Sequence, residues 1–234
     1  MACYVLVHGA YHGPWCWAKV SERLRARGHD TVEVDLLSLK THTLSDYILA
    51  VENAVKQSGE PVVLVGHSFG GHVVSGVADS VPDCIRCLVY VSGVLLPSDR
   101  TAEEIPREPH ERPNVPHLVV GESVKFYRAE TEEEKRKIID YFYGRCAPKV
   151  AEDAVRRLRP QPLPPLKEKL SLSRERFGKV RKVYIEYLED RVIFPSVQRK
   201  MQRYWPLDNI FSIHADHSPF FSASAELSRL LEEV

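Results

Sequence analysis

Short apolar runs recur along the chain, separated by segments in which apolar residues repeat every three or four positions. That alternation predicts an α/β fold with a doubly wound, mainly parallel six-stranded sheet covered on both faces. Strands are expected at 3–7, 31–34, 61–65, 85–91, 180–187 and 209–213. Between the first two, Pro14 opens a helical stretch whose Trp17, Val20 and Leu24 share one face, and Gly28 supplies a stop. Helices are also expected at 44–57, 70–80, 195–203 and 223–234 as crossovers between parallel strands.

The alternation breaks off after Ser92 and resumes near Val180. The intervening stretch reads as a small cap inserted at about 98–178 of a single domain spanning residues 1–234. Within it, Leu118 to Ala129 has the pattern of a small hairpin, and Thr131 with Glu134 forms a capping box ahead of Ile138, Ile139 and Phe142. Pro148 opens a second helical stretch carrying Val150, Ala154 and Leu158. The prolines at 160, 162, 164 and 165 are then expected to forbid regular structure. The charged run 130–137 reads as a solvated helix face.

Composition narrows the function. Lysine plus arginine and aspartate plus glutamate each total 32, so no net field gathers nucleic acid or an anionic membrane. The longest apolar runs fall far short of the roughly 20 residues a membrane helix needs. The N-terminus enters a strand-like run directly, without the pattern of a secretory signal, so the cytoplasm is the expected location. Five cysteines, an odd number, fit reduced thiols, and Cys84-x-x-Cys87 reads as structural because Cys87 starts the apolar run of a strand rather than a helix.

The strongest chemical signal is Gly66-His67-Ser68-Phe69-Gly70, directly after one expected strand and directly before an expected helix. A tight strand-to-helix turn holds such a serine in strained backbone geometry and exposes its hydroxyl. At the start of the helix, the Phe69 N–H can face a developing oxyanion. A second donor is expected from Ala10, in the loop His8-Gly9-Ala10-Tyr11-His12-Gly13 after the first strand. His8 and His12 read as braces of that loop, since no carboxylate accompanies them. A serine hydroxyl needs a base. Of the two histidines in the last third, His214 ends a strand and His217 lies in the loop after it, which favours His217. Asp190, in the loop after the 180–187 run, is the expected orienting acid, with Glu189 and Asp216 as rivals.

With these residues placed, the chain resembles the plant methylesterase and hydroxynitrile lyase branch of the α/β-hydrolase superfamily and its small bacterial carboxylesterase relatives. The likeness rests on Tyr4 to Trp15, on Val65 to Gly71, on Glu189-Asp190 before Pro195 and on Ala215-Asp216-His217. It implies an α/β-hydrolase fold, ester hydrolysis through an acyl-enzyme, no cofactor or metal, and a cap roofing an apolar pocket. Family members are often homodimers. The lyases carry a threonine at the position of Gly9, a glutamate at that of His67 and a lysine at that of Ser218, so the resemblance implies an esterase. The cap matches the plant enzymes only loosely, chiefly at Leu158-Arg159-Pro160, and their substrates do not carry over.

The expected activity is therefore a serine carboxylesterase acting on a small, apolar or aryl/alkyl carboxylic ester. Tyr11, Trp15, Phe126, Tyr141, Phe194 and Phe220 could line an apolar pocket, though each alone is more often a core residue, and none is counted as a site residue. Two rivals keep the fold: a cofactor-independent lyase or C–C hydrolase, and a non-catalytic receptor for a small ligand.

Overall fold

The computed structural model describes residues 1–106, 117–120, 123–126 and 131–234, with 117–120 and 123–126 as backbone alone. Six strands form one sheet: β1 Cys3–Val7, β2 Asp30–Val34, β3 Val62–His67, β4 Ile85–Val91, β5 Lys182–Tyr187 and β6 Asn209–Ile213. Every pairing is parallel, and the order across the sheet is β6-β5-β4-β3-β1-β2. This is the expected α/β architecture. Because side chains alternate across a strand, each central strand feeds two cores. Val5, Val7, Leu64, Leu88, Tyr90 and Tyr184 enter one apolar cluster, and Tyr4, Leu6, Val65, Val89, Ile185 and Tyr187 enter the other.

Helices cover both faces. Helix α1 (Ala18–Arg25), preceded by a 3-10 turn Pro14–Trp17, packs Val20 and Leu24 on one face together with the C-terminal helix Ser224–Glu232. On the other lie α2 (Leu44–Gln57), α3 (Gly70–Ser80) and the helix Pro195–Met201. Helix α2 starts on a capping box between Thr43 and Asp46. No helix among the described residues is long and apolar enough to cross a membrane.

Strand β3 runs two residues beyond the expected 61–65 and takes Gly66 and His67 into the sheet. A central strand is hydrogen-bonded on both sides, and Gly66 pairs with Val7 and with Tyr90, so pairing overrides glycine's poor strand propensity. The fifth strand is shorter than 180–187, because a 3-10 turn at Phe177–Lys179 delivers the chain into it.

Between β4 and β5 the chain forms α4 (Glu132–Phe142), started by the Thr131–Glu134 capping box, and α5 (Pro148–Arg157), with Pro148 at its first turn. Strands His117–Val120 and Ser123–Phe126 pair antiparallel, as the hairpin pattern suggested, while 127–129 lies outside the described residues. The expectation of no regular structure across Pro160 to Pro165 needs correction. Gln161–Pro162 adds a third strand to that hairpin, and Pro164–Lys167 makes one helical turn. The first helical turn has N–H groups without intrahelical acceptors, so Pro164 and Pro165 sacrifice nothing there.

The turn after β3 brings α3 against the end of β1. A Cβ on Gly70 would lie 2.7 Å from both the Val7 and His8 carbonyl oxygens, which belong to backbone and cannot swing aside. Gly70→Ala is expected to lower unfolding free energy by about 2 kcal/mol or more. Gly178→Ala, whose nearest neighbour would sit at 3.6 Å, is expected to be close to neutral. Urea titration of both variants checks this.

Three buried histidines make the fold acid-sensitive. Burial lowers His12 to about 3 and His72 to about 4, and it holds His67 well below the ordinary imidazole value. The unfolded chain therefore binds protons first as pH falls, so their contribution is complete above about pH 6.5 and is lost progressively towards pH 3–4. Melting temperature measured from pH 8 to pH 4 is expected to fall steeply below pH 6. His72→Phe, in the first turn of α3, is expected to flatten that slope.

Candidate active site

Ser68 stands at the turn between β3 and α3 with φ at +51°, a left-handed conformation that is costly for a residue with a Cβ. The turn is held open by its neighbours: the Ser68 carbonyl accepts from Gly71 N and Val94 N, each at 2.9 Å. The hydroxyl is partly exposed and faces Nε2 of His217 at 3.1 Å. His217 lies in the loop after β6 and is 1% exposed; its Nδ1–H donates to Asp190 Oδ2 at 2.8 Å. This bond assigns the tautomer that leaves the Nε2 lone pair free for the serine proton.

Asp190 is itself 1% exposed, so its charge must be met by donors. Oδ1 accepts from Val192 N at 2.7 Å and Ile193 N at 2.9 Å, while Oδ2 accepts from the Ser92 hydroxyl at 2.7 Å as well as from His217. The rivals are engaged elsewhere. Glu189 is exposed and accepts twice from the Arg145 guanidinium, both at 2.7 Å. Asp216 is buried but turns away from the imidazole, accepting from Ser218 N and the Ser222 hydroxyl on one oxygen and from Arg145 N on the other. His214 lies beside Glu189 on the surface.

His217 is gripped from both sides. The His67 Nε2–H donates to the His217 carbonyl at 2.8 Å, with ring centroids 4.7 Å apart, and the Phe142 ring meets the imidazole edge-to-face at 5.4 Å. Among the described residues, neither the Phe69 nor the Ala10 N–H has an acceptor, which leaves both amides free for an anionic oxygen. Phe69 N lies at the start of α3, where the helix dipole adds to the field. Gly9 is pressed against Ser68: a Cβ there would lie 2.7 Å from Ser68 Cβ.

The loop that carries Ala10 is braced peptide by peptide. His8 accepts from Leu36 N at 3.1 Å on Nε2 and donates from Nδ1 to Gly9 O at 2.8 Å. His12 donates from Nδ1 to Ala10 O at 2.9 Å and accepts from the Tyr143 hydroxyl on Nε2 at 2.9 Å. Neither histidine touches Ser68 through a hydrogen bond.

Sequence reasoning did not single out Ser92 or Tyr143, and it noted His67 only as a position that separates this chain from the lyases. Ser92 is the first residue after β4, and its approach to Asp190 follows from β4 lying between β3 and β5. A polar residue closing an apolar strand run was the available signal. Of the aromatic candidates, Phe220 is fully buried between Trp17 and His67 and belongs to the core. Trp15 stacks on Phe221 beneath the Arg157 guanidinium, and the Phe126 side chain lies outside what the structure describes.

Comparison with known proteins identifies the fold and the family. Residues 4–230 match the model of the alpha/beta hydrolase family. The chain is 32% identical to a putative chloroplastic methylesterase, number 14, of Arabidopsis thaliana, over 99% of this chain and 71% of that protein. It is 30% identical to methyl jasmonate esterase 1 of Vitis vinifera, over 99% and 95% of the two chains. The crystal structure of an Arabidopsis methylesterase, 25% identical, superposes with a TM-score of 0.82 over all of this chain and 98% of the other. The chain belongs to the α/β-hydrolase family, in its plant methylesterase branch.

Proposed function

We propose that this chain is a serine carboxylesterase that hydrolyses a small carboxylic ester through an acyl-enzyme formed on Ser68. The observation that carries this reading is the continuous relay from Ser68 Oγ through His217 to the buried Asp190 carboxylate. In this reading His217 Nε2 takes the hydroxyl proton as Ser68 attacks the ester carbonyl, and the imidazolium returns it to the departing alcohol. Asp190 holds the imidazole in register and stabilises its transient charge. The Ala10 and Phe69 amides receive the oxyanion. Water, activated by the same imidazole, then releases the acid, so atoms and protons balance without a cofactor.

The names of the relatives support an ester as substrate. Residues 98–178 act in this reading as the cap above the site, with Phe142 as its contribution beside His217. Close packing of Gly9 on Ser68 and the neutral His67 behind His217 favour hydrolysis over a reaction needing an extra charge at those positions. The five cysteines are free thiols, which supports a reducing compartment such as the cytoplasm.

The test is turnover of a panel of short aryl acetates by wild type and Ser68→Ala, with mass spectrometry after exposure to a phosphonate probe. Turnover is expected to fall by about a thousandfold or more, with the probe bound covalently to Ser68 in the wild type alone. Turnover that survives Ser68→Ala would point to the serine-independent chemistry of a lyase.

A further inference from the structure

Described residues of the insertion between β4 and β5 reach the loop carrying the proposed oxyanion donor at successive positions. The Gly9–Ala10 peptide, whose N–H is that donor, is held at its carbonyl by His8. The next peptide is held at Ala10 O by the His12 Nδ1–H, and His12 is in turn fixed through Nε2 by the Tyr143 hydroxyl, which follows α4. Beyond it, Tyr11 O accepts from Arg159 N at 2.9 Å and His12 O lies 3.4 Å from the Arg159 guanidinium. The same guanidinium nitrogen donates to Asp35 Oδ1 at 2.5 Å.

These contacts act on a backbone that needs holding. Tyr11 sits at φ +66°, a strained conformation for a residue with a side chain, and such strain persists only where surroundings impose it. Asp35 stays ionised for its part: burial pushes its carboxyl up, but the His8 imidazole 3.7 Å away and the Arg159 guanidinium hydrogen-bonded to it outweigh that and leave it well below the usual carboxylate range. The Tyr143 hydroxyl and the His12 imidazole are both buried, so neither bond is loosened by solvent.

We infer that Tyr143 and Arg159 are positioning residues of the oxyanion hole, acting through His12 and the Tyr11–His12 backbone to aim the Ala10 N–H at the reacting oxygen. The inference rests on the serine esterase reading above. An amide displaced by a fraction of an ångström still lets substrate bind but stabilises the transition state less. Their loss therefore acts on kcat rather than KM, and by the same factor whatever the length of the acyl chain. A residue that merely walls the pocket does the opposite, with an effect that grows with acyl length and enters KM.

The experiment measures kcat and KM for Tyr143→Phe and Arg159→Met on p-nitrophenyl esters from acetate to octanoate, together with inhibition by a phenylboronic acid, whose tetrahedral adduct occupies the oxyanion site. Tyr143→Phe removes one hydroxyl and almost no volume, so it guards against a variant that simply fails to fold. Each variant is expected to lose about tenfold in kcat, less than the 10²–10³ lost when a donor itself is deleted, with KM little changed across the series and boronic acid affinity weakened by the same factor. Unchanged kcat in both variants, or losses that rise with acyl length and appear in KM, would overturn the inference while leaving the esterase reading intact. A wild type that neither turns over the esters nor takes a phosphonate on Ser68 overturns both.

Discussion

The site depends on how closely the strand ends can approach one another at the carboxyl edge of the sheet. Ser68 reaches solvent only because the chain reverses from β3 into α3 within a few residues, and that reversal fits only because Gly70 passes against the carbonyls ending β1. The neighbouring loops then have fixed distances to meet. The loop after β1 supplies Ala10, the residue after β4 supplies Ser92, and the loops after β5 and β6 supply Asp190 and His217. The crossovers between parallel strands, covering two apolar cores, provide the rigidity that keeps these loops in register.

A buried carboxylate beside a buried imidazole is costly unless every lone pair is occupied. Asp190 meets that condition with four donors, of which two are backbone amides of its own turn and one is a hydroxyl from a different strand. Ser92 therefore does for the acid what the acid does for His217. His67 performs a similar service on the far side, tying the backbone of the His217 loop to the Ser68 turn. The motif residue between Gly66 and Ser68 is thus a strut between these two loops, and burial holds it neutral beside the His217 imidazole.

Much of this was legible in the sequence, for identifiable reasons. Strands buried on both faces are written as continuous apolar runs, and the glycine-flanked serine sits where a strand run gives way to a helical one, so β3, Ser68 and α3 could be read together. His217 and Asp190, which the structure brings into line with Ser68, were singled out by chain order and by position after strands. What escaped were residues whose partners are brought near by topology alone: Ser92 lies 98 positions from Asp190, and Tyr143 lies 131 positions from His12. No local periodicity encodes such contacts. The proline-rich stretch was misread for another reason, since proline is forbidden inside a helix but welcome in its first turn, and Pro164 and Pro165 occupy that turn.

The arrangement also explains how one scaffold can change substrate without losing its chemistry. The loops that hold Ser68, Asp190 and His217 are pinned to the sheet by bonds among themselves, whereas the loop carrying Ala10 is pinned on one side by the sheet, through Leu36 and His8, and on the other by the insertion. The insertion touches the His217 side as well, where Arg145 N and Cys146 bond Asp216 and the Arg145 side chain bonds Glu189. A segment free to vary in length and sequence, as inserted loops are, is therefore constrained at a handful of residues by the machinery beneath it. Residues of α4 and α5 that contact none of His12, Tyr11, Asp216 and His217 carry no such constraint, so they can vary while the Ala10 loop stays in place.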